Sequence, residues 1–371
     1  MKFSDQFFMK RALYLARKGM GYASPNPMVG AVIEKDGKII AEGYHRRYGE
    51  AHAEVNALAG LKKVPSGAAL YVTLEPCSHA GKTPPCLERV QAAKFSRVII
   101  GMEDPNPLVS GRSIAALHKQ GVEVTVGVME EECRALNETF LKYITTGMPF
   151  ITVKFAQTLD GRIATSTGHS QWISGEKSRR FAHKLRSLHD AVLVGAGTVL
   201  HDDPDLTTRH VKGRNPLRIV LDPALETPVA AKVLQNQDKA KTLVVTGSRV
   251  SADKCSRIRD MGGEILQLKE TEEHFFALPE LFRRLGERKV SSILVEGGSG
   301  VITSVLQSGC ADRVTAIVAP KIIGTGLNTV GDLHITHMGK AMGLEFKKIF
   351  RSGDDIIMDC RITKHLTQIP Q

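Results

Sequence analysis

Residues 74–86 read LEPCSHAGKTPPC, with Cys77 and Cys86 each following a proline, and residues 52–54 upstream read His-Ala-Glu. Thiolates and a neutral imidazole are zinc ligands. Two of the first and one of the second give the ion three protein donors and leave a fourth position for water. Bound water approaches neutrality in its pKa and can attack a ring carbon that carries an amino group. Glu54 is then the residue left over for proton transfer: from water, to a ring nitrogen, and to departing ammonia. Residues two apart do not share a helix face, so His52 is expected at the very start of a helix, where both side chains can converge.

The arrangement His-x-Glu…Pro-Cys…Cys is close to the signature of zinc-dependent nucleobase deaminases. It departs from the usual Pro-Cys-x-x-Cys spacing by an inserted SHAGKT, which carries His79, Lys82 and Thr83. Lys82 is a candidate point charge for a phosphate. The competing reading is a closed structural zinc site with His79 or another cysteine as fourth ligand, but such a site has no use for Glu54 at that spacing. Asn26 in SPNPMVG, and Asp104 and Asn106 in EDPNP, could hydrogen-bond a base or ribose edge, or simply make turns. Cys133, Cys255, Cys310 and Cys360 are scattered and read as core hydrophobes or inert thiols.

A second set of residues lies further on. In SSILVEGGSGVITSVLQ a strand passes through Glu296, Gly297, Gly298, Ser299 and Gly300 into a helix, which makes either an anion cradle or a tight turn. It is not a G-x-G-x-x-G fingerprint. In VGAGTVLHDDPDLTTR, Thr198 and Asp202 follow a strand and a Gly-rich turn. Arg186 and Arg209 fit phosphate as guanidinium forks, or pair on the surface. Trp172, the single tryptophan, could stack on a nicotinamide or cap a core.

These residues need two frameworks. The chain is 371 residues long, 42% apolar and 24% charged, a soluble globular balance that suggests two domains. No apolar run reaches bilayer length. Its first 20 residues read as an amphipathic helix and not as a signal peptide, so a cytoplasmic location with reduced thiols is expected. The net charge of +11 divides as +4 over residues 1–147 and +7 over the rest, without a basic run or aromatic stripes. That argues against a nucleic-acid surface and suits small phosphorylated ligands. The first part alternates helix and strand, with a KDGK hairpin, a helical periodicity over 51–64, and a sheet expected to be mostly parallel. A joint at 146–149 separates it from a second alternating set. There DAVLVGAGT, PLRIVLDP, KTLVVTG, SSILVEGG and RVTAIVAPKII read as buried parallel strands.

HAEVNAL, VTLEPCSHAGKTPPC and EDPNP together resemble the deaminase half of the bifunctional riboflavin-biosynthesis deaminase/reductase family, in which the longer cysteine spacing is typical. VKFAQTLDGRIA, SQWIS, VGAGTVLHDDPDLTTR, LVEGG and APKIIG resemble its reductase half. The resemblance implies a cytidine deaminase-like three-layer α/β/α domain over 1–147 and a dihydrofolate reductase-like α/β domain over 148–371. The first would use Zn²⁺ on His52, Cys77 and Cys86, with Glu54 as proton shuttle and Asn26, His45, Lys82, Asp104 and Asn106 around the substrate. It would remove the 2-amino group of 2,5-diamino-6-(5-phosphoribosylamino)pyrimidin-4-one. The second would reduce the ribosyl group to ribityl with NADPH. Its cofactor contacts would be Ala156, Trp172, Thr198, Asp202 and Gly298, Ser299, Gly300, Val301, Ile302, Thr303 and Ser304. Its substrate contacts would be Ser170, Arg186, Leu206, Arg209 and Glu296. Lys154 and Asp202 are candidates for the proton donor. The partners implied are small phosphorylated pyrimidines and further copies of the chain, as a dimer or tetramer, with neither nucleic acid nor membrane. The rival readings are a nucleic-acid deaminase with an RNA-binding second half, and a non-enzymatic zinc-stabilised binding protein.

Overall fold

The computed structural model describes residues 4–79, 84–106, 109–270 and 276–366. Backbone proximity divides the chain into two compact units, Met1–Met148 and Pro149–Gln371. No helix among the described residues is long and apolar enough to cross a membrane.

The first unit begins with α1 (Asp5–Ala16) and the hairpin β1 (Gly30–Lys35) and β2 (Lys38–Tyr44). Asp36 and Gly37 both have positive φ, at 51° and 78°, as a two-residue hairpin turn demands. There follow α2 (Ala53–Leu58), β3 (Ala69–Val72), α3 (Cys86–Ala93), β4 (Arg97–Ile100), α4 (Arg112–Lys119), β5 (Glu123–Val126), α5 (Glu130–Leu136) and α6 (Glu138–Thr146). The sheet order is β2-β1-β3-β4-β5. Only β3-β4-β5 is parallel; β1 runs antiparallel to both β2 and β3, so the sheet is mixed where a mostly parallel one is expected from sequence. The short hairpin link leaves β2 no alternative. The helix read over 51–64 spans only Ala53–Leu58, and Gly60 follows its end. Two glycines let helices sit close on the strands. A Cβ on Gly30 would meet Ala12 O at 1.9 Å on α1, and one on Gly43 would meet Ala53 O and Ala57 N, both at 2.3 Å, on α2.

The second unit contains β6 (Phe150–Thr158), β7 (Arg162–Thr165), α7 (Glu176–Leu188), β8 (Ala191–Gly195), α8 (Ala196–Asp202), β9 (Leu217–Leu221), β10 (Thr242–Thr246), α9 (Ala252–Asp260), β11 (Glu264–Gln267), α10 (Leu278–Glu287), β12 (Ser292–Val295), α11 (Ser299–Gln307), β13 (Arg313–Ala319), β14 (Gly326–Asn328), β15 (Gly343–Ser352) and β16 (Asp355–Lys364). Nine strands lie in the order β11-β10-β9-β8-β12-β6-β13-β16-β15, while β7 and β14 pair separately. From β11 to β13 every pairing is parallel, and the antiparallel hairpin β15–β16 closes the far edge. The runs read from sequence as buried strands are β8, β9, β10, β12 and β13, and their apolar side chains form the core. In such sheets ligands sit outside the carboxyl ends of the strands.

Candidate active sites

In the first unit three element ends meet. His52 occupies the position before α2 in an extended conformation, φ −74° and ψ 172°, and Glu54 lies in the first helical turn. Cys77 follows the end of β3, and Cys86 is the first residue of α3. The His52, Cys77 and Cys86 donor atoms all lie within 4.8 Å of one another. His52 Nδ1 is 3.1 Å from Cys86 Sγ and 3.5 Å from Cys77 Sγ, while the Cys86 N–H donates to Cys77 Sγ at 3.2 Å.

The electrostatics of this cluster call for a cation. Burial and the nearby Cys77 push the Glu54 carboxyl up to about 7, and Glu54 is 3% exposed. A hydrogen bond from the Cys86 thiol pulls Cys77 down to about 4, and the same contact raises Cys86. Two sulfurs and an imidazole nitrogen so close together suit a dication, and a sulfur-sulfur-nitrogen donor set matches the preference of zinc. The residues therefore fit the ion.

A polar chain leads away from the donors. His45 is buried, and desolvation lowers its pKa, so its ring is neutral. Its Nδ1 lies 3.2 Å from Ala51 O, which can only accept, so Nδ1 carries the proton. Nε2 is then free to accept from Asn26 Nδ2 at 3.3 Å. The His45 and His52 rings meet edge to face, with centroids 5.1 Å apart. Burial raises Asp104 to about 6, and its Oδ1 accepts the Asn106 N–H at 2.9 Å. Lys82 lies outside the described residues.

Sequence reasoning passed over Glu75. Its carboxylate, 2% exposed, accepts the N–H groups of Asp104 (3.3 Å), Gly111 (3.0 Å) and Ser113 (3.0 Å). The Ser113 hydroxyl donates in turn to Pro76 O at 2.5 Å. Glu75 thus ties the segment bearing Cys77 to the one bearing Asp104 and Asn106.

In the second unit a cleft of about 600 Å³ crosses the middle of β6 and the carboxyl ends of β12, β8 and β9. Of the residues implied by resemblance, Ala156, Ser170, Thr198, Asp202, Glu296, Gly298, Gly300, Val301, Ile302 and Ser304 line it, as does Lys154. Thr198 and Asp202 stand four apart on α8, which begins directly after β8 where sequence suggested only a Gly-rich turn. Ser170 Oγ donates to Asp202 Oδ1 at 3.2 Å. Gly298 precedes α11 with φ 69°. A Cβ on Gly297 would press on Thr198 Oγ1 at 2.9 Å, whereas one on Gly197 or Gly300 would meet nothing within 4 Å. That leaves open space by the first turn of α11, where helix N–H groups attract anions. The residues fit a dinucleotide phosphate.

Other residues of that set do not line the cleft. Arg186 reaches it only through Glu296, to which it donates, and its Nη1 also donates to Thr207 O at 3.2 Å. Leu206 is buried with φ 59°. Arg209 lies 3.8 Å from Asp205. Trp172 is 61% exposed with the Arg179 guanidinium over its ring at 4.5 Å. Ser299 O accepts from Thr303 Oγ1, which accepts from the Gly331 N–H. A buried histidine, His183, went unnoticed in the sequence; it packs against the His210 ring at 4.5 Å.

A family model described as the cytidine and deoxycytidylate deaminase zinc-binding region matches residues 2–102, and one described as the RibD C-terminal domain matches residues 149–358. The riboflavin biosynthesis protein RibD of Aquifex aeolicus is 46% identical over 355 residues, covering 95% of this chain and 97% of that protein. The Escherichia coli RibD is 38% identical over 370 residues, covering 95% and 98%. Among solved structures, Acinetobacter baumannii RibD superposes with a TM-score of 0.87 at 34% identity over 97% of this chain and 99% of that one. A Thermotoga maritima protein, described as a diaminohydroxyphosphoribosylaminopyrimidine deaminase/5-amino-6-(5-phosphoribosylamino)uracil reductase, does so at 0.84 and 38% identity over 96% and 98%. The fold class is accordingly a cytidine deaminase-like domain followed by a reductase domain of the RibD type.

Proposed function

Because the chain belongs to the RibD family of bifunctional riboflavin-biosynthesis enzymes, we propose that its two sites act on 2,5-diamino-6-(5-phosphoribosylamino)pyrimidin-4(3H)-one in turn. The first hydrolyses the 2-amino group. The second reduces the ribosyl group to ribityl, giving 5-amino-6-(5-phosphoribitylamino)uracil. The observation that carries the reading is the pairing, in one chain, of a buried carboxyl at Glu54 beside a zinc-type donor set with a glycine-lined cleft at the start of α11.

In the deaminase site His52, Cys77 and Cys86 would hold zinc, which supplies a water acidic enough to lose a proton near neutral pH. Glu54 takes that proton on its carboxylate, delivers it to a ring nitrogen and then protonates the leaving ammonia. The Asn26 amide and the His45 ring hold the pyrimidine edge. Asp104 and Asn106 bound the other side, and Lys82 meets the phosphate.

In the reductase site the segment from Gly298 to Ser304, with Thr198 and Ala156, would hold NADPH, which supplies a hydride. Trp172, exposed beneath the Arg179 guanidinium, would be a further contact to the cofactor. Asp202 and Ser170 face the cleft as a hydrogen-bonded pair, and Lys154 stands ready to give a proton. Burial holds Lys154 below the usual lysine range. Arg186, with Glu296 as its partner, and Arg209 would orient the phosphorylated substrate against Leu206.

The test is a single-turnover assay on zinc-loaded protein, with ammonia release and NADPH oxidation followed together. Ammonia first, with NADPH loss dependent on it, is expected. NADPH loss preceding ammonia would overturn the order, and ammonia alone would remove the reductase assignment.

A further inference from the structure

Resting on the cofactor reading above, we propose that Arg249 binds the 2′-phosphate of the dinucleotide and so sets the preference of the reductase cleft for NADPH over NADH. The argument starts from the direction of the cleft. Two of its charged groups, Lys154 on β6 and Glu296 directly after β12, mark one end, while His201 and Asp202 stand on α8. The glycines before α11 lie at the middle. The opposite end, at β9, is closed by Leu221, Pro223, Phe276 and Leu278, which offer an adenine an apolar slot and no charge. A cofactor with its reactive ring at β6 and its pyrophosphate at α11 therefore places its adenosine at β9.

The next strand outward is β10, parallel to β9 with Val245 opposite Leu221. Four strand spacings separate β6 from β10, about 19 Å in all, on the scale of an extended dinucleotide. Beyond β10 the chain turns through Gly247, whose N–H donates to Pro223 O at 2.9 Å. Arg249 follows two residues later, at most about 7 Å along the backbone from that contact. Its side chain is exposed and makes no hydrogen bond or ion pair among the described residues. Lys254, the neighbouring cation on α9, is engaged by Leu225 O at 2.5 Å. An unpaired guanidinium beside the adenosine ribose matches a phosphate monoester in charge and fork geometry.

One group opposes it. Glu270 packs on Gly247 so closely that a Cβ there would stand 1.5 Å from its Oε1. A carboxylate at this place favours a free 2′-hydroxyl, as in NADH-binding folds. Without Arg249 the balance would pass to Glu270.

Calorimetric binding to the full zinc-loaded chain tests this with NADPH, NADH, 2′,5′-ADP and 5′-AMP, on the natural sequence, Arg249→Ala and Arg249→Glu. We expect Arg249→Ala to weaken NADPH and 2′,5′-ADP by about tenfold to a hundredfold. NADH and 5′-AMP should be unchanged, and Arg249→Glu should bind NADH the more tightly. Equal losses for phosphorylated and unphosphorylated ligands, or no loss in either, would overturn the role of Arg249 while leaving the cofactor reading in place. A natural chain that binds NADH and not NADPH would overturn it in favour of Glu270. Failure of the natural chain to bind either dinucleotide would remove both the cofactor reading and this one.

Discussion

Arg186 forks onto Glu296, Nε to Oε1 at 2.7 Å and Nη2 to Oε2 at 2.8 Å, with the two side chains only 12% and 6% exposed. Lys154 Nζ approaches the same carboxylate at 3.9 Å. Burial alone would raise the Glu296 pKa, but Arg186 and Lys154 overcome it and hold the group down at about 2. Sequence resemblance offers Arg186 and Glu296 as two separate substrate contacts. In the fold they are one unit, with one carboxylate serving two cations.

Removing that carboxylate takes the shared counter-charge from two buried cations and leaves Arg186 with the neutral Thr207 O, which costs about 3–5 kcal/mol. Glu296→Ala is therefore expected to lower the melting transition of the second unit and to abolish NADPH oxidation, with ammonia release intact. Scanning calorimetry alongside the two activity assays checks this. Lost reduction with an unchanged melting profile would show that the pair does not hold the fold.

Glu54→Gln tests the proton shuttle. The amide keeps the shape of the side chain but cannot exchange protons near neutral pH. Ammonia release should fall by about 10²–10⁴-fold or more. Zinc content by atomic absorption, and NADPH oxidation with the deaminated substrate supplied, should match the natural chain. Loss of zinc from Glu54→Gln would make the residue structural instead.

What could be read in the sequence was local. His52-x-Glu54 and the two Pro-Cys pairs combine rare residue types within short spans, and the buried strands β8, β9, β10, β12 and β13 announce themselves as apolar runs ending in Gly, Asp or Pro. What could not be read depends on partners far along the chain. Glu75 meets N–H groups 29 to 38 residues away, and Arg186 meets Glu296 across 110. No periodicity records such pairings. The mixed character of the first sheet was open to inference, because a two-residue turn after β1 forces an antiparallel neighbour. The short α2 was harder to foresee, since apolar spacing continues past Leu58 into residues that form only turns.

His183 should make the second unit sensitive to acid. Burial first, then the charges of Arg186 and Arg209, lower its pKa from 6.5 to about 4, and its Nδ1 has no hydrogen-bond partner among the described residues. A histidine depressed in the folded state adds stability that is complete above pH 6.5 and is lost as pH falls towards 4. The loss amounts to at most about 3 kcal/mol. Glu296 begins to act only below its unfolded pKa, near 4.5, and adds to the loss as pH falls towards 2. His189, likewise lowered by burial, works in the same direction as His183. Melting temperatures of the second unit between pH 6.5 and 4.5 should therefore fall, and His183→Asn should flatten the slope without abolishing it. An unchanged slope would mean that His183 is already protonated in the fold.

Glu75 makes the last prediction, because its role is to position and not to react. Its two oxygens accept backbone N–H groups of Asp104, Gly111 and Ser113, while Ser113 returns a hydrogen bond to Pro76, next to Cys77. A glutamine of the same shape must turn its NH₂ towards at least one of those N–H groups. That sets donor against donor at a cost of about 1–3 kcal/mol. The strain falls on Asp104, Gly111 and Ser113 and leaves the Cys77 thiolate in place. Glu75→Gln should thus keep its zinc and its reductase activity, raise the deaminase KM about tenfold, and change kcat far less. A purely structural role would lower the melting temperature with KM unmoved, and a role in holding the ligand would show first as lost zinc. The split between KM and kcat, measured with zinc content on the same samples, separates the three.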